Sequence, residues 1–222
     1  MNRSAIPVLG YALLGLIDLK PSSGYDLRKI FADTAMGNYS SSPGAIYPAL
    51  ERLESQRLIR GVVEDSAGLR RRCIYRITTK GSAELSNWLS KPIQECDVMR
   101  GAQELMLRFS FMEHVLGVQA VLTFLEEFRA ALKSYLSGLE SYAQGNAKQM
   151  PLSGRLALES GIRGYRGMYE WTAYAIRAYR QSRTSQAKQG LAGKPGKAYP
   201  SGLKNTPRAQ KRRSRGPRSP SG

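Results

Sequence analysis

Ser41-Ser42-Pro43-Gly44-Ala45-Ile46-Tyr47-Pro48-Ala49-Leu50-Glu51-Arg52-Leu53 lies between an amphipathic helical stretch and two arginine-loaded strand-like runs, and it reads as a recognition helix. Ser42 suits an N-cap and Pro43 a first-turn position, while Ile46, Leu50 and Leu53 recur at spacings of four and three that bury one face. Ala45, Tyr47 and Pro48 then face outward. A proline deep inside a helix costs about 3 kcal/mol, but within the first turn the backbone N–H groups have no intrahelical partner to lose. Pro48 therefore points to a functional surface. Small residues at a helix start also let the backbone approach phosphate, where the N-terminal field favours an anion. Taken alone, the segment fits an ordinary capped core helix equally well.

Its neighbours decide between the two. Upstream, Pro7 to Leu19 carries a broad apolar face of Val8, Leu9, Ala12, Leu13, Leu16 and Ile17, and Lys20-Pro21-Ser22-Ser23-Gly24 breaks it. A second helix, from Gly24 to about Ala35, sets Tyr25, Leu27, Ile30 and Phe31 at helical intervals with Arg28 and Lys29 outside. With the turn at 37–42, this is helix-turn-helix order. Downstream, residues 58–63 and 73–77 have strand composition around the turn-like Glu64-Asp65-Ser66-Ala67-Gly68, which makes a two-stranded wing. Arg70, Arg71 and Arg72 sit where that hairpin returns, placed for phosphates or an adjacent minor groove. Thr78 or Thr79 caps a further helix to Leu89. Candidate DNA contacts are thus Ser41, Ser42, Pro43, Gly44, Ala45, Tyr47 and Pro48, joined by Tyr25, Lys29 and the three wing arginines.

These residues resemble the PadR family of winged-helix transcriptional regulators. The resemblance is carried by Ala12-Leu13-Leu14-Gly15-Leu16, Ser23-Gly24-Tyr25-Asp26-Leu27, the 42–53 stretch, Leu58-Ile59 and Tyr75-Arg76-Ile77-Thr78-Thr79-Lys80-Gly81, and it covers residues 5–90. Residues 97–181 are similar to the long helical dimerisation region of one branch, through Glu104-Leu105-Met106-Leu107-Arg108-Phe109 and Arg163-Gly164-Tyr165. The sequence departs from the family pattern at Ser23, where histidine is common, and at Arg71, Cys73 and Ile74 in the wing. The resemblance implies a regulator, acting as a repressor, and some members release DNA on binding small aromatic or hydrophobic compounds.

The second half carries its own signal. Val118, Leu122, Leu125, Arg129, Leu132, Leu136, Leu139 and Ala143 follow a period near 3.5, and beyond Pro151 the series Leu158, Ile162, Tyr165, Tyr169, Thr172, Ile176 and Tyr179 repeats at four and three. Two long helices of this kind cannot bury their stripes on one small winged domain. An antiparallel hairpin packed on its copy in a twofold dimer is the economical arrangement, with Leu122, Leu125, Leu132, Leu136, Leu158, Ile162, Tyr165, Tyr169 and Ile176 as dimerisation residues. A dimer would set two recognition helices on one face of a palindromic operator. Trp88 and Trp171 are the aromatic side chains an effector pocket would use, although such stripes are more often core.

Of the formal net charge of +17, residues 182–222 supply +11 through eleven Lys and Arg and no acid, which leaves residues 1–181 with 23 basic and 17 acidic side chains. That tail is rich in Gly, Pro and Ser and cannot offset its ordering entropy by burial, so disorder is expected. Cys73 and Cys96 lack metal or redox spacing and read as free thiols of the cytoplasm, with the protein on the nucleoid when DNA-bound. The apolar run from Ile6 to Ile17 is too short to span a bilayer, and no later one reaches about 20 residues. His114 is the single histidine, so catalytic triads and multi-histidine metal sites are incomplete. No enzyme activity, metal or cofactor is expected.

The expected architecture is mainly α (α+β): a winged helix-turn-helix at 1–92, an antiparallel helical dimerisation and effector domain at 97–181, and a disordered basic tail at 182–222. The expected partners are double-stranded DNA, a second copy and a small aromatic or hydrophobic effector. Two alternatives stay open, a nonspecific architectural nucleic-acid-binding protein and a small-molecule-binding protein with a vestigial winged domain.

Overall fold

The computed structural model describes residues 6–39, 43–64, 72–100, 102–146 and 148–190, with the backbone alone at 43 and 184–190. Met1–Arg183 form one compact unit and Thr184–Gly222 a second. The expected wing turn, with Arg70 and Arg71, the residues Ser41 and Ser42, and most of the basic tail lie outside the described residues.

The chain opens with α1 (Val8–Leu19), β1 (Ser22–Ser23) and α2 (Gly24–Asp33), followed by 3-10 turns at Ala35–Tyr39 and Pro43–Ala45. Next come α3 (Ile46–Ser55), β2 (Ile59–Glu64), β3 (Arg72–Ile77) and α4 (Thr79–Leu89). The remainder is helical: α5 (Glu95–Met99), α6 (Gln103–Leu116), α7 (Val118–Asn146) and α8 (Leu152–Gly190). This is the mainly α winged-helix fold that the sequence implied.

Helix α1 is the hub. It is buried from Gly10 through Gly15 and again at Ile17, because α3, α4 and β3 pack around it and α6 covers the rest. That accounts for a segment whose apolar residues exceed one stripe. Ser23 begins α2 by accepting the Asp26 N–H at 3.2 Å, and Thr78 begins α4 by accepting that of Gly81 at 3.0 Å. Leu27 and Phe31 of α2, Ile46, Leu50 and Leu53 of α3, and Leu85, Trp88 and Leu89 of α4 close the core beneath the helix-turn-helix.

The sheet has three antiparallel strands in the order β1-β3-β2, one more than the expected two-stranded wing. Ser22 and Ser23 pair with Tyr75 and Ile74. Their composition gives no strand signal; the open edge of β3 supplies the pairing groups. The wing itself runs from Ile59↔Ile77 to Glu64↔Arg72 without a break.

The recognition helix starts later than the sequence suggested. Pro43–Ala45 is a 3-10 turn and α3 begins at Ile46, with Ala45 at the N-cap position and no side-chain cap bond. A helix begun at 43 would need the N–H that Pro48 lacks. Begun at Ile46, Pro48 is the third residue, where no intrahelical partner exists.

Between α4 and α7 stand two shorter helices, α5 and α6, and α5 starts where the Gln94 N–H donates to the Asp97 carboxylate at 2.8 Å. Helices α7 and α8 run antiparallel, as Arg183 reaches Gln119, Arg180 reaches Glu126, Arg166 reaches Glu140 and the Tyr135 and Tyr165 rings meet edge to face at 4.9 Å. Leu122, Leu125, Leu132, Leu136, Ile162 and Ile176 are buried within the chain itself. The expectation that a second copy must cover these six is therefore corrected: the hairpin, closed by α5 and α6, already does. Leu158, Tyr165 and Tyr169 remain half-buried, and Leu152, Leu156 and Tyr174 of α8 are exposed.

Candidate nucleic-acid interface

Burial of Ile46, Leu50 and Leu53 on α1 and α2 leaves the opposite side of α3 to solvent. Tyr47 is 46% exposed, Pro48 is exposed with Gly44 in the turn before it, and Ala45 is half-buried. From α2, Tyr25 is 55% exposed beside Lys29 and Arg28, and the Arg28 guanidinium stands 5.6 Å from the centre of the Tyr25 ring. Tyr47 reaches across to α2, since a β-carbon on Gly24 would meet its Cε1 at 2.7 Å. Two exposed tyrosines, two cations and a proline-containing helix start thus share one surface. Such a surface offers stacking and hydrogen-bonding edges between phosphate-seeking charges.

The wing adds charge from a different element. Arg60 and Arg76 face each other across β2 and β3, Arg72 lies on the same side, and all three are exposed. Glu64 holds Arg76 at 3.1 Å. On the other side, the Glu54 carboxylate accepts the Gly61 N–H at 2.7 Å, which ties α3 to the wing. At the far end of α3, Arg57 takes a left-handed backbone with φ of 59°, its N–H donating to the Glu54 carbonyl while that of Leu58 donates to Leu53. This is a Schellman closure with arginine at the usual glycine position.

Of the two tryptophans proposed for an effector, Trp88 is buried, stacked on Tyr11 at 4.4 Å and donating from Nε1 to Glu104 at 3.0 Å. Trp171 is half-buried edge to face with Phe109 at 5.2 Å. Neither lines the cavity of about 480 Å³ that opens between α5, α6, the 91–94 segment and the 3-10 turn Ala35–Tyr39 that follows α2. Glu104 and Arg108 do. Arg108 is 4% exposed, donates from one terminal nitrogen to the carbonyls of Leu89 and Lys91, and leaves its buried Nε without a partner. Burial pushes this guanidinium below its ordinary pKa, against the pull of Asp97, Glu104 and Glu127. Tyr39, from the same 3-10 turn, donates to the Gln103 carbonyl at 3.0 Å.

Residues 13–87 match the model of the transcriptional regulator PadR-like family. The negative transcriptional regulator PadR of Bacillus subtilis is 30% identical over 150 residues, spanning 66% of this chain and 79% of that one. The chain belongs to the PadR-like family. It is a DNA-binding transcriptional regulator. A probable transcriptional regulator of Mycobacterium tuberculosis is 24% identical over 188 residues, spanning 79% of this chain and 99% of that protein. The crystal structure of Bacillus subtilis PadR with operator DNA aligns at 25% identity and a TM-score of 0.37, covering 78% of this chain and 99% of that one.

For a PadR-like chain, sequence reasoning placed Tyr25, Lys29, Gly44, Tyr47, Pro48 and Arg72 at the surface, as they are. It missed Gly24, Arg60, Arg76 and Arg108. Alternation along the strands could have paired Arg60 with Arg76; the roles of Gly24 and Arg108 depend on contacts between elements far apart in sequence. Among the described residues no helix is long and apolar enough to cross a membrane, and no cluster of His, Cys, Asp or Glu could hold a metal.

Proposed function

We propose that the protein is a repressor that reads a palindromic operator as a homodimer, placing α3 in the major groove and the wing arginines on the flanking backbone. The observation that carries this reading is the exposed Tyr47–Pro48 start of α3, set beside exposed Tyr25, Arg28 and Lys29 while Ile46, Leu50 and Leu53 hold the other side of α3 in the core. Repression follows the Bacillus subtilis relative, a negative regulator. In this reading residues 1–92 bind DNA, and 97–181 form the dimerisation and effector segment. The dimer would use what the hairpin leaves uncovered on α8, namely Leu152, Leu156, Leu158 and Tyr174. The protein would work in the cytoplasm on the nucleoid.

The cavity beside Arg108 is the place for a small aromatic or hydrophobic effector. Its size falls in the range of small-molecule sites, its open Nε–H seeks an acceptor oxygen, and Tyr39 connects it to the 3-10 turn at the end of α2, the helix that packs against α3. An occupant there could shift how α3 is presented.

Competition binding tests the central reading. A duplex selected by the full-length chain from a randomised pool should outcompete scrambled duplex and RNA by at least about a thousandfold. Sedimentation should give a dimer at micromolar concentration. Equal binding of all three nucleic acids would overturn the operator reading, and a monomer would overturn the assembly.

A further inference from the structure

Gly24 is the first residue of α2, with Ser23 capping the helix ahead of it, and it is buried. Nothing about the helix requires glycine there. Its φ is not left-handed, and alanine is the better helix former. What requires glycine is Tyr47: a β-carbon would stand 2.7 Å from Cε1 and 3.3 Å from Cδ1 of that ring, and 3.4 Å from a Leu50 methyl. The ring therefore lies on the bare backbone of α2, and the missing side chain is its seat. Tyr47 is 46% exposed, so it can swing outward without opening the core.

We propose that Gly24 is a positioning residue for operator recognition, fixing where the exposed Tyr47 phenol lies between α2 and α3. The proposal rests on the reading of α3 as the DNA-contacting helix. Any side chain at 24 tips the ring off its seat, moving the phenol relative to Tyr25 and the Arg28 cation while the fold stays intact. A displacement of this kind, far smaller than a helix shift, degrades hydrogen bonds to base edges because those depend steeply on geometry.

The test is a double-mutant cycle in the full-length chain, Gly24→Ala and Tyr47→Ala, titrated against the selected duplex and its scrambled counterpart. Gly24→Ala should weaken the selected duplex about tenfold and the scrambled one less than about twofold. Its thermal midpoint should stay within about 3 °C of wild type. In the Tyr47→Ala background the same change should alter affinity less than about twofold. Gly24→Ser should behave as Gly24→Ala does. An unchanged affinity for Gly24→Ala while Tyr47→Ala weakens binding overturns the positioning role alone. An equal loss from Gly24→Ala with and without Tyr47 overturns it as well, as does a large drop in thermal midpoint, since either places the effect in the fold. Full selected-duplex affinity in folded Tyr47→Ala overturns both the positioning role and the recognition reading beneath it.

Discussion

A β-carbon on Gly15 would stand 2.5 Å from Cδ2 of Phe111, so α1 and α6 meet ring against backbone. Phe111 is buried and cannot swing away as an exposed side chain could. The winged segment and the helical segment are joined at this contact, reinforced by Asp18 facing His114 at 3.3 Å. Gly15→Ala should therefore destabilise by about 1–3 kcal/mol through overpacking, despite the better helix propensity of alanine. Urea unfolding checks it. A variant as stable as wild type would mean that the Phe111 ring is not seated on the α1 backbone.

Arg57→Gly should act in the opposite direction. A left-handed arginine costs roughly 1–2 kcal/mol that glycine does not, and the two Schellman hydrogen bonds are backbone groups that survive the change. A gain of up to about 1 kcal/mol is expected, because glycine also loosens the unfolded chain. Denaturant midpoints decide it; a clear loss of stability would show that the Arg57 side chain supports the α3–β2 corner.

Alkaline pH should unfold the protein early. Burial pushes the Tyr75 and Tyr179 phenols up to about 12, Tyr179 also through its hydrogen bond to Glu113, and it raises Tyr11, Tyr39 and Tyr165 as well. A folded state that holds these protons while the unfolded chain releases them near pH 10 is full strength below pH 10 and loses stability as pH rises from there toward 12. Absorbance at 295 nm, followed with circular dichroism, should show part of the 12 tyrosines ionising only as helix is lost. Complete ionisation near pH 10 with the helices intact would contradict the burial of these rings.

Ending the chain at Gly190 keeps all of α8 and removes nine Lys and Arg. Affinity for selected and scrambled duplex should fall by similar factors, and the slope of log affinity against log salt should shrink by about 0.9 for each phosphate that the tail no longer neutralises. Selectivity should survive, because the proposed recognition surface lies on α2 and α3. A selective loss for the operator would place part of the sequence reading in residues 191–222.

The sequence carried most of the winged fold, because each element announces itself locally. Thr78 caps and Ile46, Leu50 and Leu53 form a stripe, although α3 begins at Ile46 and not just after Ser42, because Pro48 has no N–H to give a longer helix. What it did not carry depends on tertiary contact. Ser22 and Ser23 become a strand because β3 has an open edge, and the apolar stripes of α7 and α8 close on one another within a single chain. The candidate surface divides the same way. Exposed Tyr47 follows from periodicity, whereas the exposure of Tyr25 at the edge of the α2 apolar stripe, the seat on Gly24 and the unpaired Nε of Arg108 appear only when distant helices meet.

The most direct test is footprinting of the full-length chain on DNA that it selects from a randomised pool. Recognition by α3 in a twofold dimer predicts an inverted repeat whose half-site centres lie about one helical turn, or a multiple of it, apart, with protection there lost on Tyr47→Ala while the fold and the dimer persist. A selected pool without symmetry or sequence preference, protected equally by wild type and Tyr47→Ala, would contradict it.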